Sequence, residues 1–164
     1  MINLNIDFDG VIIDDIPTMY NELKNKGIAR DDQVSIREFF SKYDFSKVVK
    51  DELILNDSIK FIQKLIDSNK FNISILSHVV SLEEAVIKIK YIRKYFKDIT
   101  VIIVPREISK TDMVHTENSI LVDDFAGNLR EWEEKGGISV RFNMELESKG
   151  FRVINKLDQL LEMF

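Results

Sequence analysis

Two carboxylates stand one residue apart where an apolar run breaks off, in Asn5-Ile6-Asp7-Phe8-Asp9-Gly10-Val11-Ile12. Successive side chains of a strand point to opposite faces. At a strand's end the chain begins to turn, so Asp7 and Asp9 can both lean toward one site at the C-terminal edge of a sheet. Gly10 lets the backbone take a tight or left-handed turn there. Carboxylates this close repel each other and raise each other's pKa. A divalent cation relieves that repulsion, and a hard ion such as Mg²⁺ prefers oxygen ligands. Taken alone, D-x-D-G is also readable as a polar strand-to-turn junction. Three later stretches bear on the choice: an apolar run ending at Ser77, Lys110 in a polar connection, and Ile120-Leu121-Val122 ending at Asp123-Asp124.

These residues need a scaffold, and the hydrophobic pattern supplies one. Strands are expected at residues 3–8, 71–76, 100–104, 119–122 and 138–142. Helices are expected between them. Pro17 suits a first helical turn, and Gly27 suits a stop. Ser35-x-x-Glu38 has the form of a capping box. Asn56 or Asp57 caps a helix with Ile59, Ile62, Leu65 and Ile66 on one face. Ser81-x-x-Glu84 opens another, striped by Ala85, Ile89, Ile92 and Phe96, whose basic face (Lys88, Lys90, Arg93, Lys94, Lys97) is expected to be solvated. Asn128 to Lys135 closes at Gly136-Gly137, and Lys156 to Met163 forms a last amphipathic helix. Strands alternating with helices give an α/β domain with a parallel sheet, here of five strands, and right-handed crossovers put helices on both faces. Such sheets bind ligands beyond the strands' C-terminal edge, where strand order reverses. Asp7, Asp9, Ser77, Asp123 and Asp124 all fall at or just past strand ends, and Lys110 falls in the loop before the fourth strand.

Length and composition narrow the rest. A chain of 164 residues implies one domain with room for a small insertion. The formal net charge of -5 lacks the basic footprint that a nucleic-acid polymer requires. The absence of cysteine excludes disulfides, thiolate catalysis and Cys-ligated zinc, and fits a reducing cytoplasm. No apolar run approaches the length of a membrane span, and no secretory signal is evident. There is no Walker A loop and no G-x-G-x-x-G.

With Asp7-Phe8-Asp9-Gly10-Val11, Ser77 after an apolar strand, Lys110, and Asp123-Asp124 in this order, the chain resembles the haloacid dehalogenase (HAD) superfamily of phosphotransferases. The resemblance implies a Rossmann-like three-layer core over residues 1–13 and 70–164. It also implies a small helical cap inserted after the first strand, over residues 14–69. Within the superfamily the chain is most similar to the 5′(3′)-deoxyribonucleotidase group, through Lys110-Thr111 and through Asp123-Asp124 followed by Asn128, Trp132, Gly136-Gly137 and a strand ending in Phe142. Trp132 and the glycines also have structural readings, as core and helix stop. Ser77-His78-Val79 departs from the nucleotidase pattern.

The resemblance implies a Mg²⁺-dependent phosphomonoester hydrolase acting through an aspartyl-phosphate. Asp7 is then the nucleophile and Asp9 the acid and base. Ser77 and Lys110 contact the phosphate. Asp7, Asp9 (through its carbonyl), Asp123 and Asp124 serve the metal. The implied substrate is a small phosphate ester such as a (deoxy)nucleoside monophosphate, with sugar phosphates or phosphoglycolate-like acids as alternatives. A non-catalytic phosphate-binding module stands beside these. Taken separately, Ser77 can end a strand, Lys110 can be a solvated lysine, and Asp123-Asp124 can cap a helix. Phe39, Phe40, Tyr43 and Phe45 are either the cap's own core or a stacking surface for a base. His78 and His115 lack metal-ligand spacing.

Overall fold

In the computed structural model, which describes Met1–Phe164, the sheet has six strands: β1 (Ile2–Ile6), β2 (Phe71–Val79), β3 (Thr100–Pro105), β4 (Ile120–Asp123), β5 (Ile138–Phe142) and β6 (Arg152–Ile154). Their order is β3-β2-β1-β4-β5-β6 and every pair is parallel. The sixth strand corrects the expectation of five. It is three residues long, too short for an alternating pattern, and is defined by pairing of Val140 to Phe142 with Arg152 to Ile154. β2 also runs two residues past Ser77 because His78 and Val79 still pair with Val104 and Pro105.

Strand order reverses beside β1, which pairs with β2 on one side and β4 on the other. A doubly wound sheet leaves its crevice at such a point. The central strands are buried on both faces, as near-continuous apolar runs predict. Leu4, Ile6, Ile120, Leu121 and Val122 are all fully buried.

The helices are α1 (Ile16–Asn25), α2 (Gln33–Ser41), α3 (Ser58–Asp67), α4 (Leu82–Tyr95), α5 (Ala126–Glu134) and the short α6 (Leu160–Met163). The last amphipathic stretch is thus a 3-10 turn, Leu157–Gln159, followed by one turn of α-helix. α2 starts earlier than the Ser35 box suggests. Asp32 is its N-cap, accepting from the Ser35 amide at 3.1 Å, because a carboxylate three residues upstream reaches that N–H first. Ser81 does cap α4, accepting from the Glu84 amide. Gly136, at φ +79°, ends α5 as expected. Trp132 is core: it is fully buried, with its indole N–H donating to the Ser119 carbonyl at 3.0 Å.

The segment between β1 and β2 leaves and returns through a narrow stem. Asp14 N–H donates to the Leu53 carbonyl, and Leu55 N–H donates to the Ile12 carbonyl, at 2.8 and 2.9 Å. α3 then packs on β2 and on the Leu157–Gln159 turn. α1 and α2 instead line a cavity over the C-terminal ends of β1 and β4. Phe39, Phe40, Tyr43 and Phe45 pack ring against ring, with centroids 5.1–6.1 Å apart. They are continuous with the main hydrophobic core, from which Phe40 and Phe45 reach the cavity wall.

Candidate active site

The turn after β1 is built around the carbonyl of Phe8. It accepts from the amides of Ile12 and Ile13, while Gly10 N–H donates to Ile13 at 2.8 Å. Phe8 is fully buried, meeting Tyr91 edge-on at 6.1 Å. Gly10 sits at φ +71°, and a Cβ there would fall 2.3 Å from Asp124 Oδ2. Glycine is required twice over, by backbone conformation and by the approach of that carboxylate.

Asp7 and Asp123 face each other from neighbouring strands, since Asp7 N–H extends the ladder by donating to Val122 at 2.9 Å. Asp7, Asp123 and Asp124 each offer an oxygen within 4.8 Å of the others. Lys110 enters from a 3-10 turn before β4 and is nearly fully buried. Its Nζ donates to Asp7 Oδ1 at 2.8 Å and to Asp123 Oδ2 at 2.7 Å. Asp123 is held further by Asn128 Nδ2 and by the Phe125 amide, each at 2.9 Å.

This crowding shifts the acidity of the group. Burial, then Asp123, push Asp7 up to about 7 against the pull of Lys110. Burial, then Asp7 and Asp123, push Asp124 up to about 8. Burial disfavours the Lys110 charge, but Asp123 and Asp7 more than offset it and hold its pKa above the usual lysine value. Three oxygen donors with surplus negative charge fit a hard divalent cation, and the space left by the missing Cβ of Gly10 lets Asp124 take its place among them.

Asp9 turns away from this group. Its Oδ2 accepts from Lys88 at 2.7 Å, and Lys88 is only 1% exposed. Here the expectation of a solvated basic face on α4 is corrected for Lys88 alone, since Lys90, Arg93, Lys94 and Lys97 are exposed. Glu84, Lys88, Tyr91 and Ile92 are the buried residues of the helix. Lys88 Nζ also reaches Glu84 Oε1 at 2.7 Å, Ser77 Oγ at 3.1 Å and the His78 carbonyl at 3.0 Å, and it lies 5.3 Å from the centre of the Phe8 ring. Burial opposes ionisation of Asp9, but Lys88 outweighs it and lowers the pKa. Behind Asp9 lies Asp15, fully buried, whose Oδ1 accepts from Gly10 N–H at 3.2 Å. Burial, then the Asp9 charge, raises Asp15 well above the usual carboxyl range.

Of the residues expected in the site, the structure brings Asp7, Lys110, Asp123 and Asp124 together, with Asp9 on the adjoining wall. Ser77 is 1% exposed, bonded to Lys88 and to the His78 carbonyl, and stands behind the cavity wall. His78 does line the cavity, its Nε2 donating to the Ile108 carbonyl at 2.8 Å, and burial lowers its pKa. His115 is on the surface. Lys88, Asp15 and Glu84 were missed. The signal for them was the i, i+4 pair Glu84–Lys88 placed directly after the Ser77 strand.

No protein-family model matches the sequence, and no curated protein matches it. Solved structures do. A HAD hydrolase from Bacillus subtilis with bound magnesium superposes at a TM-score of 0.63 with 13% identity, covering 99% of this chain and 97% of that one. The chain has the HAD-hydrolase fold. A second HAD-superfamily hydrolase, from Geobacter sulfurreducens, gives a TM-score of 0.61 with 11% identity over the whole of both chains. The D,D-heptose 1,7-bisphosphate phosphatase of B. bronchiseptica, in complex with magnesium and phosphate, gives 0.61 with 14% identity, again over both whole chains. In this HAD fold the acids sit at the reversal of strand order, and no helix is long and apolar enough to cross a membrane.

Proposed function

We propose that the chain is a Mg²⁺-dependent phosphomonoesterase that works through an aspartyl-phosphate on Asp7. The observation that carries this is the meeting of Asp7 from β1 with Asp123 and Asp124 from β4, their oxygens within 4.8 Å, around a buried lysine that bonds two of the three.

Asp7, Asp123 and Asp124 would hold the metal. When bound it supplies positive charge that returns Asp7 to its ionised form and lets a phosphate dianion approach. An oxygen of Asp7 attacks phosphorus, and the bond from phosphorus to the leaving oxygen breaks. Asp9 delivers a proton to that oxygen, with Asp15 beside it as the carboxyl that burial favours in its protonated form. Water then attacks phosphorus, its proton goes back to the Asp9 carboxylate, and the bond to Asp7 breaks. Lys110 fixes the orientation of Asp7 and balances charge.

The cavity, about 320 Å³, suits a small molecule. α1 and α2 form its outer wall and act as the cap. A nucleoside monophosphate is one substrate of suitable kind, supported by the exposed rings of Tyr20 and Phe125 on the wall. The test is release of phosphate from p-nitrophenyl phosphate with and without Mg²⁺, repeated with Asp7→Asn. Metal-dependent turnover that the substitution abolishes supports the proposal. Turnover that survives Asp7→Asn excludes the aspartyl-phosphate.

A further inference from the structure

The floor and the mouth of the cavity differ in what their cations are bound to. On the floor, Lys110 is committed to Asp7 and Asp123, and Lys88 to Asp9 and Glu84, all at 2.7 or 2.8 Å. At the mouth stand three exposed arginines: Arg30 between α1 and α2, Arg37 on α2, and Arg106 just after β3. Arg30 and Arg106 form no ion pair with any carboxylate. The Arg30 guanidinium lies 4.7 Å from the centre of the Tyr20 ring. Arg37 makes one exposed contact, 3.7 Å to Glu107. Because Glu107 adjoins Arg106 in the chain, that contact brings the cap arginine to the side of the cavity where the core arginine stands.

The polar side chains that the cap turns toward the cavity are Tyr20, Arg30, Gln33 and Arg37. The remainder of its lining is apolar, and it contains no carboxylate. A leaving group reaching the cap therefore meets two guanidinium groups, an amide and a phenol, with Arg106 on the side nearest Arg37. Guanidinium groups match the planar fork of a carboxylate or two oxygens of a phosphate. A neutral polyol finds few acceptors on such a wall.

We propose that the enzyme selects phosphate monoesters whose leaving group carries a second anion, a carboxylate or another phosphate, held by Arg30, Arg37 and Arg106. The proposal rests on the phosphatase reading and narrows it. A 5′-nucleoside monophosphate, which has no second anion, is then a poorer substrate than an ester of equal size that has one.

The test compares kcat/KM within matched pairs: 3-phosphoglycerate against glycerol 3-phosphate, and fructose 1,6-bisphosphate against fructose 6-phosphate. The expected ratio is about tenfold or more in favour of the second anion in at least one pair, the worth of a hydrogen bond to a charged group. Which pair shows it identifies carboxylate or phosphate as the preferred group. Arg37→Gln and Arg106→Gln should each bring that ratio toward one. Circular dichroism checks that the variants are folded. Ratios near one in both pairs overturn the proposal while p-nitrophenyl phosphate turnover leaves the phosphatase reading standing. Variants that slow all esters equally, with the ratio intact, also overturn it, since the arginines would then only attract the transferring phosphate. No Mg²⁺-dependent turnover of any ester defeats both.

Discussion

Lys88 Nζ lies 2.7 Å from Asp9 Oδ2, tying the middle of α4 to the turn that follows β1. The same ammonium group reaches Glu84, Ser77 and the His78 carbonyl, so one buried side chain fixes the relation between two strand ends. Removing one partner of a buried ion pair leaves the others charged and unpaired, at a cost of about 3–5 kcal/mol. Lys88→Met should lower the urea midpoint accordingly. Lys88→Met with Glu84→Gln should cost less than the sum of the two singles, because the second change removes a stranded charge. Additive losses would show that the two residues do not act as a pair.

Gly10→Ala places a methyl group against Asp124 and forces an L-residue into the left-handed region. The backbone term alone costs about 1–2 kcal/mol. The contact at 2.3 Å displaces the Asp124 carboxylate, so Mg²⁺-dependent phosphate release should fall further than the loss of stability explains. The measurement is Mg²⁺ titration of activity, beside a thermal melt.

Metal binding should be visible without catalysis. Any ligand that binds only the folded state raises stability, by about 2.7 kcal/mol at a hundredfold excess over Kd. Saturating Mg²⁺ should raise the melting temperature of the wild type. Asp123→Asn should flatten that response. A response equal in the two proteins would place the ion elsewhere.

Asp51, at the base of the cap segment, accepts hydrogen bonds from Lys94, Tyr95 and Tyr91 on α4. The bonds from Lys94 and Tyr95 lower its pKa to about 2. Its folded pKa lies below the unfolded value of about 3.9. It therefore adds stability above pH 4 that is lost as pH falls from about 4 toward 2. Wild type should exceed Asp51→Asn in urea midpoint at pH 6, and the gap should close on acidification through that window. A gap constant down to pH 2.5 would count against the contact.

Much of this arrangement is legible in the sequence because strand ends are punctuated by charge. Asp7 and Asp123 each follow a run of apolar residues and can be placed at the same edge from periodicity alone. Trp132 and Gly136 declare themselves as core and helix stop by size and by absence of a Cβ. What escaped was charge pointing inward. Lys88 belongs by type to the solvated face, and only its bonds to Asp9 and Glu84 make burial tolerable; those partners come from two different elements. Asp15 is hidden for the same reason, since its neighbour Asp9 lies across the turn. β6 escaped because three residues carry no period and take their conformation from β5.

The central position of β1 sets when the site can exist during synthesis. Asn5 bonds the carbonyl of Ile120, 115 residues further along. A nascent chain that has reached only β3 possesses Asp7 and Asp9 but leaves one edge of β1 open, exposing an apolar strand with unsatisfied amides. Closing so large a loop is slow. The late-emerging segment 120–123 thus acts as the capstone of assembly, and truncations that stop short of it should be retained by chaperones or aggregate instead of accumulating as soluble chain.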